Sequence, residues 1–451
     1  MKKHLSLLLL ILPFIGFAQQ NDSTNISNIY KAALTKSDCY ENLRFLCKNI
    51  GPRLSGSENA DKAVKYFEEK MKSYGFDRVY LQELKVPVWR RLDKAKAEII
   101  TTKKTVNICA LGGSVATPAK GLQAEVIEVK TFEELDQLGE KNIKGKIVFF
   151  NRPMEPTHIE TFHAYGGAVN QRGSGASKAA KYGAIACVVR SMNLRIDEFP
   201  HTGAMRYDAK YPKIPAAAIS TSDAEALSAS IKKQSTQLFI KFNCDTFPDK
   251  VSYNVIAEIK GSEFPEQIIT VGGHLDSWDL AEGAHDDGTG CVQSLEVLHL
   301  FKTLGIRPKR TIRAVMFMNE ENGLRGGLKY AEEAKRLNEK HLAAIETDAG
   351  GFTPRGFDID ASSAVISKIK SWEYLLKPYG LHEIEKGGSG SDIGPLKAPN
   401  VSLIGYRPDS QRYFDIHHAA TDVFEAVNKR ELELGAASIT ALVYLIDQYG
   451  L

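Results

Sequence analysis

The chain has 451 residues, with 58 Lys and Arg against 55 Asp and Glu and a formal net charge of +3. That balance, without a basic run, excludes a nucleic-acid-binding stripe and a polybasic membrane patch. Six cysteines scattered without a CxxC pair exclude a zinc ribbon and a disulfide-dense scaffold.

The length exceeds one simple core and predicts about two domains. At the start, Lys2 and Lys3 precede an apolar run, Leu5 to Phe17, that is too short for a comfortable membrane span. Gly16 and Ala18 are small residues suitably placed for cleavage, so residues 1–18 read as an export signal and the mature chain begins at Gln19. The competing reading is an uncleaved N-terminal anchor. No Cys stands at the cleavage point, which argues against a lipoprotein. No later stretch is long and apolar enough to span a bilayer, so a soluble, secreted or periplasmic protein is expected.

From about Asn25 to Tyr80 the pattern is helical. Ala60, Val64, Phe67, Met71 and Tyr74 share one face of a helix that Ser57 or Asn59 can cap and Gly75 can end. Strand-like runs follow at Val79 to Val86 and Ala97 to Thr101. Cys39 and Cys47 could pair in an oxidising compartment, while Cys187 and Cys291 read as buried thiols. From Gly121 to Asp249 short strands alternate with turns and small helices, and no candidate metal cluster falls there. Residues 121–249 therefore read as an inserted, mostly β domain, and residues 24–120 and 250–451 as one catalytic domain.

Beyond Tyr253, apolar strands at 254–259, 267–271, 311–318, 342–346 and 401–405 alternate with helical stretches. One of these, Cys291 to Leu304, has Val292, Leu295, Leu298 and Phe301 on one face. The alternation predicts an α/β fold with a largely parallel sheet flanked by helices. Such sheets bind ligands beyond the carboxyl ends of their strands. His274 and Asp276 follow one strand, Glu320 and Glu321 another, and Asp348 a third.

Each of these motifs has a bland reading as a solvated loop or a helix cap; together they point to metal chemistry. A neutral imidazole at His274 is a zinc ligand, and Asp276 can orient its ring. Asp286 can bridge two cations, while Asp287 can cap the following helix. Adjacent acids at Glu320 and Glu321 repel unless cations compensate, and one can bind metal while the other faces water. Asp348 precedes small residues, and either His417 or His418 could ligate, with Asp422 as a support. Two imidazoles and three carboxylates suffice for two ions if one carboxylate is shared. Two such ions, roughly 3.5–4 Å apart, activate water for hydrolysis.

The motifs Gly51-Pro-Arg-Leu-Ser-Gly-Ser57, Gly273-His-Leu-Asp-Ser-Trp-Asp279, Gly283-Ala-His-Asp-Asp-Gly288, Leu304-Gly-Ile-Arg-Pro-Lys-Arg-Thr311, Asn319-Glu-Glu321 and Glu346-Thr-Asp-Ala-Gly350 resemble the co-catalytic zinc exopeptidase family. That family contains the bacterial leucyl aminopeptidases and glutamate carboxypeptidases, and the likeness, strongest to its carboxypeptidase Q branch, runs from about residue 30 to the C-terminus. The resemblance implies a zinc exopeptidase fold with an inserted protease-associated domain. It also implies two zinc ions, one held by His274, Asp286 and Asp348 and the other by Asp286, Glu321 and His418. Glu320 becomes the general base and Asp276 the partner of His274. The family's spacing to the following Asp selects His418 over His417. His417 replaces a Tyr that aids the oxyanion in glutamate carboxypeptidase II.

The implied substrate is a short peptide or dipeptide with free termini, cleaved as by a carboxypeptidase; an aminopeptidase is the alternative. Arg407 and Arg412, close in sequence to His418, are candidates for the terminal carboxylate, and Gly387 to Asp392 reads as a flexible loop at the rim. A glutaminyl cyclase-like acyltransferase and a non-catalytic binding protein are disfavoured by the full ligand set. The reading admits a homodimer.

Overall fold

The computed structural model describes residues 11–398 and 400–451. The chain lays down one long strand, β1 (Arg78–Arg91), then eight short ones: β2 (Lys96–Ile99), β3 (Lys104–Val106), β4 (Ile108–Ala110), β5 (Leu122–Val129), β6 (Ile147–Phe150), β7 (Ala186–Arg190), β8 (Ala216–Ile219) and β9 (Gln237–Lys241). Seven more complete it: β10 (Cys244–Ile259), β11 (Phe264–His274), β12 (Arg310–Phe317), β13 (Lys340–Glu346), β14 (Pro354–Asp360), β15 (Glu383–Lys386) and β16 (Ser402–Pro408). The first sheet has the order β1-β10-β12-β11-β13-β16-β14-β15, and the second β3-β2-β9-β5-β6-β7-β8-β4.

Both sheets are mixed. In the first, β12, β11, β13 and β16 run parallel as the expected α/β centre, flanked by the antiparallel pairs β1·β10, β10·β12 and β14·β16. The second sheet takes in residues 96–110, which the expected insert starting at 121 leaves out. β1 and β10 stay paired up to Arg91 opposite Cys244, and the chain between these partners forms the second sheet.

Local chemistry sets the elements. Helix α1 spans Ile11–Lys36, and α2 spans Glu58–Ser73. Ser57 caps α2 by accepting the Ala60 N–H at 3.1 Å, and the helix buries Ala60, Ala63, Val64, Phe67 and Met71. The helical region thus ends at Ser73, and Tyr80 already lies in β1.

Helix α3 (Thr289–Thr303) is buried on nearly every side rather than on one stripe, because it lies between the first sheet and the C-terminal helix α4 (Lys429–Tyr449). Apolar residues pack on both faces of the sheet. Val271, Leu295, Phe301 and Leu442 lie in the cluster on one face, and Val315, Phe317, Tyr330 and Ala344 in that on the other. All six cysteines are buried free thiols, so Cys39 and Cys47, which the sequence leaves open to pairing, are not bonded. Residues 1–10 of the expected export signal lie outside the described residues. Among the described residues no helix is long and apolar enough to cross a membrane.

Candidate metal centre

His274 is the last residue of β11, Glu320 and Glu321 follow β12, and Asp348 follows β13. Because these neighbours are parallel, their carboxyl ends open on one side. Asp286 comes from the loop that enters α3, and His418 from the turns after β16. Asp286 Oδ1 is 3.1 Å from His274 Nε2, which is also 3.6 Å from Asp348 Oδ1. On the other side, Asp286 Oδ2 is 3.2 Å from His418 Nε2, which is 3.1 Å from Glu321 Oε2. His417 Nε2 is farther from Asp286 Oδ2, at 3.8 Å, and its ring stacks on His418. The Asp286–Asp287 peptide is cis.

The donor set is buried at His274, Asp286 and Glu321, half-buried at Asp348 and His418, and short of positive charge. Burial, followed by the charge of Asp286, pushes Glu321 up to about 8, and burial likewise pushes Asp348 up to about 6. Burial alone would lower His418, but Glu321 and Asp286 outweigh it and raise it to about 10. Asp286 Oδ2, Glu321 Oε1 and Asp348 Oδ1 are buried without a hydrogen-bond donor. Orphaned carboxylate oxygens beside imidazole nitrogens are what divalent cations satisfy, and the N/O set suits zinc. The sets His274/Asp286/Glu321, His274/Asp287/Asp348 and Asp286/His417/His418 each bring three ligand atoms within 4.8 Å of one another.

The sequence pattern of Peptidase family M28 matches residues 254–443. Carboxypeptidase Q of Bos taurus is 35% identical over 419 residues, covering 93% of this chain and 86% of that protein. The chain belongs to peptidase family M28. A solved structure of a peptidase M28 precursor from Shewanella amazonensis matches with a TM-score of 0.91 at 34% identity, covering 95% of this chain and 97% of that one. A zinc aminopeptidase from Bacillus subtilis shares the fold at a TM-score of 0.65 and 21% identity, over 90% and 94% of the two chains.

Around the centre of this M28 metallopeptidase, supporting acids act mainly on backbone. His274 Nδ1 meets the carbonyl oxygen of Asp276 at 2.8 Å, not its carboxylate, whose Oδ1 is 4.0 Å away. That Oδ1 instead accepts the N–H groups of Asn319 (2.7 Å) and Glu320 (3.1 Å), fixing the bend that presents Glu320 and Glu321. Asp422 likewise does not reach the His418 ring as expected; it accepts the N–H groups of His285 and Asp286 at 2.7 and 3.1 Å. Asp287 caps α3 by accepting the Gly290 N–H at 2.9 Å and also receives the His274 N–H at 3.0 Å. This close approach explains Gly273, where an added Cβ would sit 2.3 Å from Asp287 Oδ2.

The segment 51–57 braces two loops of the site. Arg53, fully buried, donates to the carbonyls of Leu275, Glu282 and Gly283, and Ser55 receives an Asn319 side-chain N–H at 2.8 Å. The sequence motif held these residues, but not their partners.

The centre opens into a cavity of about 610 Å³ lined by Glu320, Asp348, His417, Arg172, Tyr165 and Phe414, among others. Neither predicted arginine lines it. Arg407 pairs with Glu160, Asp358 and Glu383, and Arg412 with Glu431. Two arginines of the second-sheet region, Arg172 and Arg206, line the cavity instead; Arg172 lies beside His418, with its Nη2 donating to the Tyr165 hydroxyl at 2.6 Å and its Nε buried without a partner. Nothing near Arg172 in the sequence marks it, because the cavity assembles it from a region without acids or imidazoles in a ligand pattern. Gly387 to Asp392 is held at its far end: Glu346 accepts the N–H groups of Ser391 and Ile393 at 2.9 Å each, and Asp392 is fully buried.

Proposed function

We propose that this metallopeptidase is a co-catalytic zinc exopeptidase of the carboxypeptidase Q type, cleaving dipeptides and short peptides with free termini. The observation that carries the reading is Asp286, whose two oxygens face two separate imidazole–carboxylate pairs. His274, Asp286 and Asp348 would hold one zinc, and Asp286, Glu321 and His418 the other. When bound, the two ions polarise the scissile carbonyl and lower the pKa of a shared water.

Glu320 belongs to neither set and lines the cavity. Its carboxylate takes the proton of the attacking water and returns it to the leaving amine nitrogen. Asp276 holds the Glu320 N–H and so aims that carboxylate. His417, facing the same cavity, is the donor for charge developing on the carbonyl oxygen. Arg172 takes the terminal carboxylate in place of Arg407 and Arg412.

The segment between Arg91 and Cys244 is read as an inserted protease-associated domain, its edges lying where β1 and β10 part rather than at 121 and 249. Residues 1–18 are read as an export signal that places the enzyme outside the cytoplasm.

One observation favours a second reading. A neighbouring cavity of about 550 Å³ shares Asp348 and Phe162 with the first and carries Glu160, Asp358 and Glu385 on its wall. Arg407 and Lys386 line this cavity too, and Arg407 already pairs with Glu160 and Asp358, which leaves Glu385 as the acid for a substrate ammonium, as an aminopeptidase needs. Product analysis on a free dipeptide, an N-blocked peptide and a C-amidated peptide decides. The carboxypeptidase reading expects cleavage of the first two and none of the third. Cleavage of the amidated peptide with loss of the N-blocked one reverses the polarity.

A further inference from the structure

His418 stands in a backbone conformation that side chains seldom adopt, with φ +62°. Such a conformation persists only where its surroundings over-determine it. The surroundings here come from the second-sheet region. The Thr202 N–H donates to the His418 carbonyl at 3.0 Å, and His418 Nδ1 lies 3.3 Å from the Thr202 carbonyl oxygen. For Nε2 to present a lone pair to a cation, Nδ1 must carry the proton, and the Thr202 carbonyl is the acceptor in reach. Arg172 Nη1 lies 3.4 Å from both His418 Nδ1 and the Thr202 oxygen. A guanidinium only donates, so in this tautomer Arg172 shares the carbonyl and does not bond the ring.

Thr202 is in turn fixed by Arg91, at the end of β1. Arg91 Nη2 donates to Thr202 Oγ1 at 2.7 Å, Nη1 donates to the Ala110 carbonyl, and Nε meets both carboxylate oxygens of Asp279 at 3.0 and 2.9 Å. Asp279 lies in the loop that begins at His274. Thr202 is fully buried, and its hydroxyl also donates to the Ala110 carbonyl at 3.1 Å. Arg91 therefore ties the loop of one imidazole to the residue that grips the other.

We infer that Arg91 and Thr202 are positioning residues for the His418 half of the metal centre, so the second-sheet region completes that half rather than merely roofing the cavity. His274 does not depend on it, since its Nδ1 partner is the carbonyl of Asp276 within its own loop. The inference rests on the two-ion reading proposed above.

The test is zinc affinity, measured by chelator competition on the full-length protein, together with the absorption spectrum of the cobalt(II)-substituted form. Arg91→Gln and the isosteric Thr202→Val should each weaken one of two ions by about 10–100-fold, the usual worth of a residue supporting a ligand. Their cobalt spectra should lose the band that His418→Ala also loses. Arg90→Ala, an exposed neighbour on β1, should leave both ions unchanged. Folded Arg91→Gln and Thr202→Val proteins that keep both affinities and the full spectrum overturn the inference. So does equal weakening of both ions, or the same loss in Arg90→Ala. A wild-type protein that holds a single ion overturns instead the two-ion reading beneath it.

Discussion

At the carboxyl edge of the first sheet, acids and imidazoles face the cavity from strand ends and their loops. On the side of the second sheet, the same cavity meets the guanidiniums of Arg172 and Arg206 and aromatic rings, and behind it the Thr202 carbonyl meets His418. The two regions divide the work by type of group. Side chains that change charge or give up lone pairs come from the first sheet and its loops, together with supports such as Asp276, Asp422 and Arg53; the second-sheet region contributes a backbone carbonyl that holds His418 and the Arg172 guanidinium read as recognising an end of the substrate. Chemistry of the first kind leaves a pattern of residue types in the sequence. Support of the second kind does not, because any residue has a carbonyl.

The division is broken most directly at Glu320. Glu320→Gln keeps its shape but cannot accept a proton, so turnover should fall by about 10²–10⁴-fold with metal content unchanged. Loss of metal in that variant would falsify the separation of base from ligands. Next come the paired histidines. His418→Ala should weaken one ion by at least about 100-fold, beyond what a supporting residue contributes, whereas His417→Ala should keep both ions and lose turnover. Equal metal loss in both variants would show that the wrong imidazole has been assigned.

Acid should strike both regions, since each hides a neutral imidazole, one at the start of β13 and one beside Thr202. Burial and, after it, the Arg313 charge lower His341 of β13 to about 4, and burial lowers His201 of the second-sheet region to about 3. Between pH 6.5 and 4 the unfolded chain binds a proton at His341 that the folded chain refuses. The His341 contribution is therefore fully present above pH 6.5 and is lost as pH falls through this window, by about 3 kcal/mol at most. Denaturant midpoints against pH should lose part of that slope in His341→Gln. An unchanged slope would mean that the imidazole protonates without unfolding.

Arg172→Met should raise KM on free dipeptides about 10-fold, the order expected for loss of a charge-assisted hydrogen bond, with little change in kcat. A fall in kcat at constant KM would move Arg172 from recognition to the reaction itself. The smallest effect should come from reductant: with six free thiols and no cross-link in either region, dithiothreitol should leave Tm where it was.

What was legible in the sequence follows the same line. The strands at 311–318 and 342–346 read correctly because apolar runs end in acids, and the five ligand candidates lie together at the carboxyl edge. Asp276 and Asp422 read as partners of imidazole rings, but they act on backbone N–H groups, which spacing cannot specify. The helix Lys429–Tyr449 escaped notice because it is buried on nearly every side from Leu432 to Asp447 and so shows no single apolar stripe. β2 overlaps the expected run Ala97 to Thr101, whereas β3 and β4, three residues each, are too short to show a period.

The pairing of Arg91 with Cys244 has a consequence for how the chain can fold and be rearranged. The ends of the whole second-sheet segment are neighbours on one ladder, so the first sheet can form around it as around a hairpin loop. Closure entropy grows only logarithmically with loop length, so a long segment there costs little more than a short one. Replacing everything between these partners by a tight turn would preserve the register of β1 and β10 and, with it, the carboxyl edge that carries His274, while removing Thr202 from beside His418. The same junction that makes the segment separable in topology makes it inseparable in chemistry.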